Sequence, residues 1–193
     1  MPVGVLALQG SFFDHVKSLK NINLDYKLIK SPDDLVDVDS LILPGGESTA
    51  MRKINTFNDL FSNIDSLIKE GIPALTTCAG TILVANKIID GTPCIPNISI
   101  TVHRNAYGRQ NESFEGNVKF LDNDDIYCFI RAPKIIDYDK KEVNVLSTHM
   151  DEVVGVQQKN LVSFTYHPEL TNDDYYLDWL KQFIQEGKYV GSF

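Results

Sequence analysis

Pro73-Ala74-Leu75-Thr76-Thr77-Cys78-Ala79-Gly80-Thr81-Ile82-Leu83-Val84-Ala85-Asn86-Lys87 runs from a short apolar segment into a helical pattern, with a cysteine at the junction. Residues 73–77 read as a buried strand and residues 79–87 as the helix that follows it. A sharp strand-to-helix turn lifts its central residue out of the sheet and needs small neighbours, which Ala79 and Gly80 provide. The same turn sets Cys78 at a helix N-terminus, where the positive end of the helix dipole favours a thiolate. The backbone N–H of Ala79 then faces the oxyanion formed when that sulfur attacks a carbonyl. Taken alone, Cys78 fits a buried core cysteine equally well.

Upstream, short β-branched runs alternate with helical patterns, the signature of strand–helix–strand units in a mostly parallel sheet. Strands are expected at residues 3–8, 26–30 and 40–43, and helices at 12–21 and 58–70, the second stopping at Gly71. Downstream, residues 98–104, 114–120, 128–131, 142–147, 153–158 and 161–166 are strand candidates with no long helix between them, so antiparallel pairing is expected there. A helix over 172–185 closes the chain, with Trp179, Phe183 and Ile184 on its buried side. The 193 residues contain no repeat, low-complexity tract or linker, and one domain over residues 1–193 is expected.

Three further segments carry chemistry. Tyr166-His167-Pro168-Glu169 follows the last apolar run. In an extended segment residues two apart point the same way, so Glu169 can fix the tautomer of His167 and leave the other ring nitrogen for the proton of Cys78. Pro168 stiffens the pair by fixing its own φ. Nucleophile, base and orienter are then all present, the logic of acyl transfer. Alone, the tripeptide also fits a solvent-facing loop.

Leu43-Pro44-Gly45-Gly46-Glu47-Ser48-Thr49 follows an expected strand. Its glycines permit a tight turn and close approach to a ligand. An N–H from Gly46 completes an oxyanion hole with Ala79, each such donor being worth ~3 kcal/mol in the barrier. No Gly-Lys-Ser/Thr follows, so it is not a phosphate-binding Walker loop. A plain strand-to-helix connection capped by Ser48 fits it equally. Last, His103-Arg104-Asn105-Ala106-Tyr107-Gly108-Arg109-Gln110 and Phe129-Ile130-Arg131-Ala132-Pro133 offer arginines at strand ends. An arginine drawn out of water needs an anionic partner, either a ligand carboxylate or a structural one.

The net charge of −8 is spread along the chain and argues against nucleic acid and anionic membranes, which need a basic face. No apolar run approaches the ~20 residues of a membrane span. Cys78, Cys94 and Cys128 have no framework spacing and no leader pattern precedes Val3, so a reducing cytoplasm is expected. His15, His103 and His149 share no ligand spacing with cysteines or carboxylates, so neither a metal nor a cofactor is expected.

Together, Gly45-Gly46-Glu47-Ser48-Thr49, Thr77-Cys78-Ala79-Gly80, Arg104 to Gln110, Arg131-Ala132-Pro133 and His167-Pro168-Glu169-Leu170-Thr171 resemble the class I glutamine amidotransferases. More narrowly they resemble the glutaminase subunits of pyridoxal 5′-phosphate synthase, over nearly the whole chain from Leu8-Gln9-Gly10 onward. The resemblance implies a three-layer α/β/α, flavodoxin-like fold with a mostly parallel central sheet and an antiparallel portion in the second half. It implies a triad of Cys78, His167 and Glu169 that hydrolyses glutamine to glutamate and ammonia through a thioester. It also implies glutamine contacts from Gly46, Glu47, Ser48, Arg104, Ile130 and Arg131, and a separate synthase subunit as the partner that consumes ammonia. The chain departs from that pattern at Thr76, where a glycine is usual, and at Ser11-Phe12-Phe13-Asp14-His15, a loop expected near the partner surface. A glutaminase serving another acceptor, a stand-alone cysteine amidohydrolase and a silent regulatory subunit are the competing readings.

Overall fold

The computed structural model describes residues 1–89, 91–104 and 113–187. Its strands are β1 (Val3–Leu6), β2 (Tyr26–Ile29), β3 (Ser40–Leu43), β4 (Ala74–Thr77), β5 (Ala85–Ile89), β6 (Ile98–His103), β7 (Phe114–Phe120), β8 (Asn123–Phe129), β9 (Lys134–Tyr138), β10 (Asn144–His149), β11 (Glu152–Gln158) and β12 (Leu161–Phe164). The helices are α1 (Phe12–Asn21), α2 (Ser48–Asn55), α3 (Leu60–Glu70), α4 (Ala79–Val84) and α5 (Asp174–Glu186). Nine strands form one sheet in the order β2-β1-β3-β4-β12-β11-β10-β7-β8, and β5-β6-β9 form a smaller one.

The large sheet changes character at β12. From β2 to β12 the neighbours are parallel, and from β12 to β8 they are antiparallel. Its centre is closed to water on both faces: β1, β3, β4 and β12 are buried at every position. Alternation sorts their side chains between two cores. Leu41 and Leu43 join Leu60, Ile64 and Ile68 of α3 and Leu83 of α4 on one face. Ile42 and Leu75 join Val16 and Leu19 of α1 and Trp179, Leu180 and Phe183 of α5 on the other. The result is the expected three-layer arrangement, with helices on both sides of a mixed sheet.

Four local expectations are corrected. The helix after Cys78 ends at Val84, and Ala85–Ile89 turns into strand β5, because Ile88 and Ile89 find a parallel partner in Val102 and His103 of β6. Tertiary pairing there outweighs helical pattern. The last strand is not purely antiparallel, since β12 pairs in parallel with β4 as well as antiparallel with β11. The strand expected at 128–131 starts at Asn123 and stops at Phe129, leaving Ile130 and Arg131 beyond its end. Lys134–Tyr138 forms an unanticipated strand, whereas Ser48–Asn55 is the helix of the strand-to-helix connection. No helix among the described residues is long and apolar enough to cross a membrane.

Trp179 is fully buried, edge-on to Phe120 at 5.1 Å and stacked on Phe183 at 5.3 Å. Trp179→Ala is expected to lower unfolding free energy by about 3–5 kcal/mol in urea titrations, whereas exposed Lys53→Ala stays within about 0.5 kcal/mol.

Candidate functional site

The site forms where β3, β4 and β12 end together. Cys78 leaves β4 with φ 48° and ψ −105°, a backbone conformation that side chains rarely adopt. Its N–H donates to the Phe164 carbonyl at 2.9 Å, which ties the turn to β12. Gly80 lets α4 pass close to β3: a Cβ there would stand 2.1 Å from the Leu43 carbonyl oxygen. Thr76, where a glycine was expected, is fully buried and donates its hydroxyl hydrogen to Ser163 Oγ at 2.8 Å, so the turn accommodates it without an orphaned hydroxyl.

His167 and Glu169 meet through a different local geometry from the one expected. The chain after His167 is not extended but forms a single helical turn, Pro168–Leu170, which suits the fixed φ of proline at a first helical position. Within it, His167 Nδ1 lies 2.7 Å from Glu169 Oε1. His167 Nε2 is buried and without a hydrogen-bond partner among the described residues. The Cys78 thiol donates to the Ile130 carbonyl at 3.5 Å. A Cβ on Gly45 would lie 2.3 Å from His167 Cε1 and 3.2 Å from Cys78 Cβ, so the imidazole and the cysteine flank one glycine.

The electrostatics follow from burial. Loss of water pushes Glu169 toward protonation, but His15 and His167 more than offset this and hold the carboxyl well below the usual range. Burial likewise pushes His167 down, while Glu169, with Cys78 beside it, raises it overall. A proton on His167 is thus retained beside the carboxylate, ready for transfer. Burial pushes the Cys94 and Cys128 thiols up, away from the thiolate form.

A cavity of about 370 Å³ opens over Cys78 and His167. Its lining includes Gly46, Glu47, Ser48, Ala79, Arg104, Ile130 and Arg131, so every residue expected to bind substrate or oxyanion shares one space with the cysteine. The walls differ in chemistry. Glu47, not Ser48, caps α2, its carboxylate accepting from the N–H groups of Thr49 and Ala50, while Ser48 is the first helical residue. Arg104 donates to Thr49 Oγ1 at 2.9 Å and stands 3.9 Å from Glu47 Oε1. Arg131 adopts φ 45° and has no carboxylate within ion-pair distance among the described residues. A carboxylate-bearing solute therefore meets one arginine already tethered and one available. Residues 105–110 of the Arg104 to Gln110 loop lie outside the described residues. A larger cavity of about 730 Å³, between Phe114 and Glu152, contains no cysteine.

Sequence reading missed two contributors. Gln9 Oε1 accepts the Glu47 N–H at 2.6 Å and lines the cavity. The Ser11 to His15 segment sends two side chains inward: Ser11 Oγ donates to Glu169 Oε1 at 3.2 Å, and His15 Nε2 lies 3.2 Å from the same oxygen. The available signal was spacing, since His15 and Leu19 are four apart and share the buried stripe of α1.

Residues 5–187 match the SNO glutamine amidotransferase family. A protein of Thermosipho africanus named pyridoxal 5′-phosphate synthase subunit PdxT is 39% identical, over 94% of this chain and 100% of its own. Its namesake in Pyrococcus horikoshii is 40% identical, over 90% and 94%. A solved structure described as a glutamine amidotransferase superimposes with a TM-score of 0.88 at 33% identity, covering 97% of this chain and 99% of that one.

Gly45→Ala is expected to displace the imidazole and slow alkylation of Cys78 by a small neutral electrophile by about 10- to 100-fold, the penalty of a displacement near 1 Å in a reacting pair. An unchanged alkylation rate at neutral pH would separate the reactivity of the thiol from His167.

Proposed function

The chain belongs to the SNO glutamine amidotransferase family, and on that premise we propose that it is the glutaminase subunit of pyridoxal 5′-phosphate synthase, acting in the cytoplasm and handing ammonia to the synthase subunit. The observation that carries the reading is the 2.7 Å contact between His167 and Glu169 at the edge of a cavity that also holds Cys78 and two arginines. Arg104 and Arg131 meet the α-carboxylate of glutamine, and the side-chain amide reaches the sulfur.

The reaction then follows from the groups present. Cys78 passes its thiol proton to His167, the resulting thiolate attacks the carboxamide carbon of glutamine, and the oxyanion is met by backbone N–H groups of Gly46 and Ala79. His167 gives its proton to the nitrogen as the carbon–nitrogen bond breaks, releasing ammonia and leaving a γ-glutamyl thioester on Cys78. Water enters, His167 takes its proton, and the carbon–sulfur bond breaks to give glutamate and the thiolate. Glu169 holds the imidazole in register through both halves.

In the isolated chain the thiol is hydrogen-bonded to the Ile130 carbonyl and His167 Nε2 has no partner among the described residues. Docking of the synthase subunit supplies the missing alignment, with the Gly45-Gly46 turn moving into its oxyanion-binding form. Glutamate release is therefore expected to be slow for the isolated chain, to rise on addition of the synthase subunit, and to vanish in Cys78→Ala although that variant still binds the subunit. Equal rates with and without the subunit would remove the gating, and an active Cys78→Ala would remove the nucleophile.

A further inference from the structure

Building on the reading of Cys78, His167 and Glu169 as a glutaminase triad, we propose that His15 is a positioning residue of the same reaction, its Nε2–H holding the Glu169 carboxylate and, through the Thr77 hydroxyl, the Gly45 turn. The imidazole is fully buried on α1. Its Nε2 stands 3.2 Å from Glu169 Oε1 and 3.1 Å from Thr77 Oγ1. Thr77 Oγ1 in turn accepts the Gly45 N–H at 3.1 Å and lies 3.4 Å from Glu169 Oε1. One N–H thus sits between the carboxylate that orients the base and the hydroxyl that anchors the oxyanion turn.

The tautomer follows from the other side of the ring. His15 Nδ1 is buried without a hydrogen-bond partner among the described residues. A hydrogen there would be an orphaned donor, while Nε2 would face two oxygens with nothing to give them; the hydrogen belongs on Nε2. Packing alone does not account for an imidazole at this position, because an apolar side chain fills the same space without the cost of burying a polar ring.

The carboxylate is held through one oxygen. His167, His15, Ser11 and Thr77 all approach Glu169 Oε1, and Oε2 has no partner among the described residues. Around this group stand His15 from α1, His167 from its own turn, the Tyr166 phenol after β12, the Tyr176 phenol from α5 and the Cys128 thiol from β8. The two imidazoles lower the proton affinity of Glu169, and the Ser11 and Thr77 hydroxyls donate to the same oxygen. Without His15 the carboxylate swings more freely and is protonated at higher pH, and Thr77 loses the donor that sets its hydroxyl against Gly45. The arginines that meet the substrate are untouched.

The test uses the complex with the synthase subunit, measuring glutamate release across pH for wild type, His15→Leu and His15→Gln. His15→Leu is expected to lower kcat by about 10- to 100-fold, to leave KM close to wild type, and to move the acid limb of kcat/KM to higher pH. His15→Gln, whose amide N–H reaches the same oxygens, restores most of kcat and returns the limb. Wild-type kcat and limb in His15→Leu would overturn the proposal, as would equal losses in both variants with the limb unmoved. Absence of glutamate release by the wild-type complex would instead sink the glutaminase reading itself, and this proposal with it. Should His15→Leu not fold, imidazole ¹⁵N spectra of the wild-type protein decide: a His15 ring protonated on Nε2 that shifts in Glu169→Gln supports the role, and one protonated on Nδ1 contradicts it.

Discussion

A side chain at φ 48° costs about 1–3 kcal/mol of backbone strain, and the fold holds Cys78 there from every side. Its N–H is taken by the carbonyl of Phe164, Thr81 Oγ1 reaches that same carbonyl at 2.7 Å, and Gly80 brings the new helix against β3. The three strands that meet here are buried throughout, so the turn cannot relax without opening both cores. Strain stored in this way lifts the sulfur to the rim of the sheet and sets it facing a cavity instead of the interior.

The second constraint is the burial of Glu169. An isolated carboxylate in such a place would take up a proton, and this one stays ionised because imidazoles and hydroxyls converge on it from α1, β4 and its own turn. The price is flexibility. With Oε1 engaged by four groups, the carboxylate has one orientation, and His167 inherits it through the 2.7 Å contact. Oxyanion turn, base and nucleophile are therefore coupled through short contacts among Gly45, Thr77, Glu169 and His167.

Much of this was legible because the chemistry lies in short local words. Cys78 followed by Ala79 and Gly80, the paired glycines at 45 and 46, and His167 two residues before Glu169 each have a plainer reading alone, and it is their combination in one chain that points to acyl transfer. The parallel half of the sheet was legible too, since buried β-branched runs alternate with helical stripes. What was not legible depends on distant partners. Ala85–Ile89 is a strand only because β6 lies beside it, and Pro168–Leu170 closes into a turn where extended chain was expected. His15 looked like a stray histidine because Glu169, the group that gives it meaning, lies at the other end of the chain.

Of the three thiols, Cys78, Cys94 and Cys128, Cys78 alone combines a strained turn, an imidazole neighbour and this cavity. Treatment of the complex with a glutamine-like chloroketone, followed by peptide mass spectrometry, reads that distinction directly. A single adduct on Cys78, suppressed by excess glutamine, is the predicted result; label on Cys94 or Cys128 with Cys78 unmodified would contradict it.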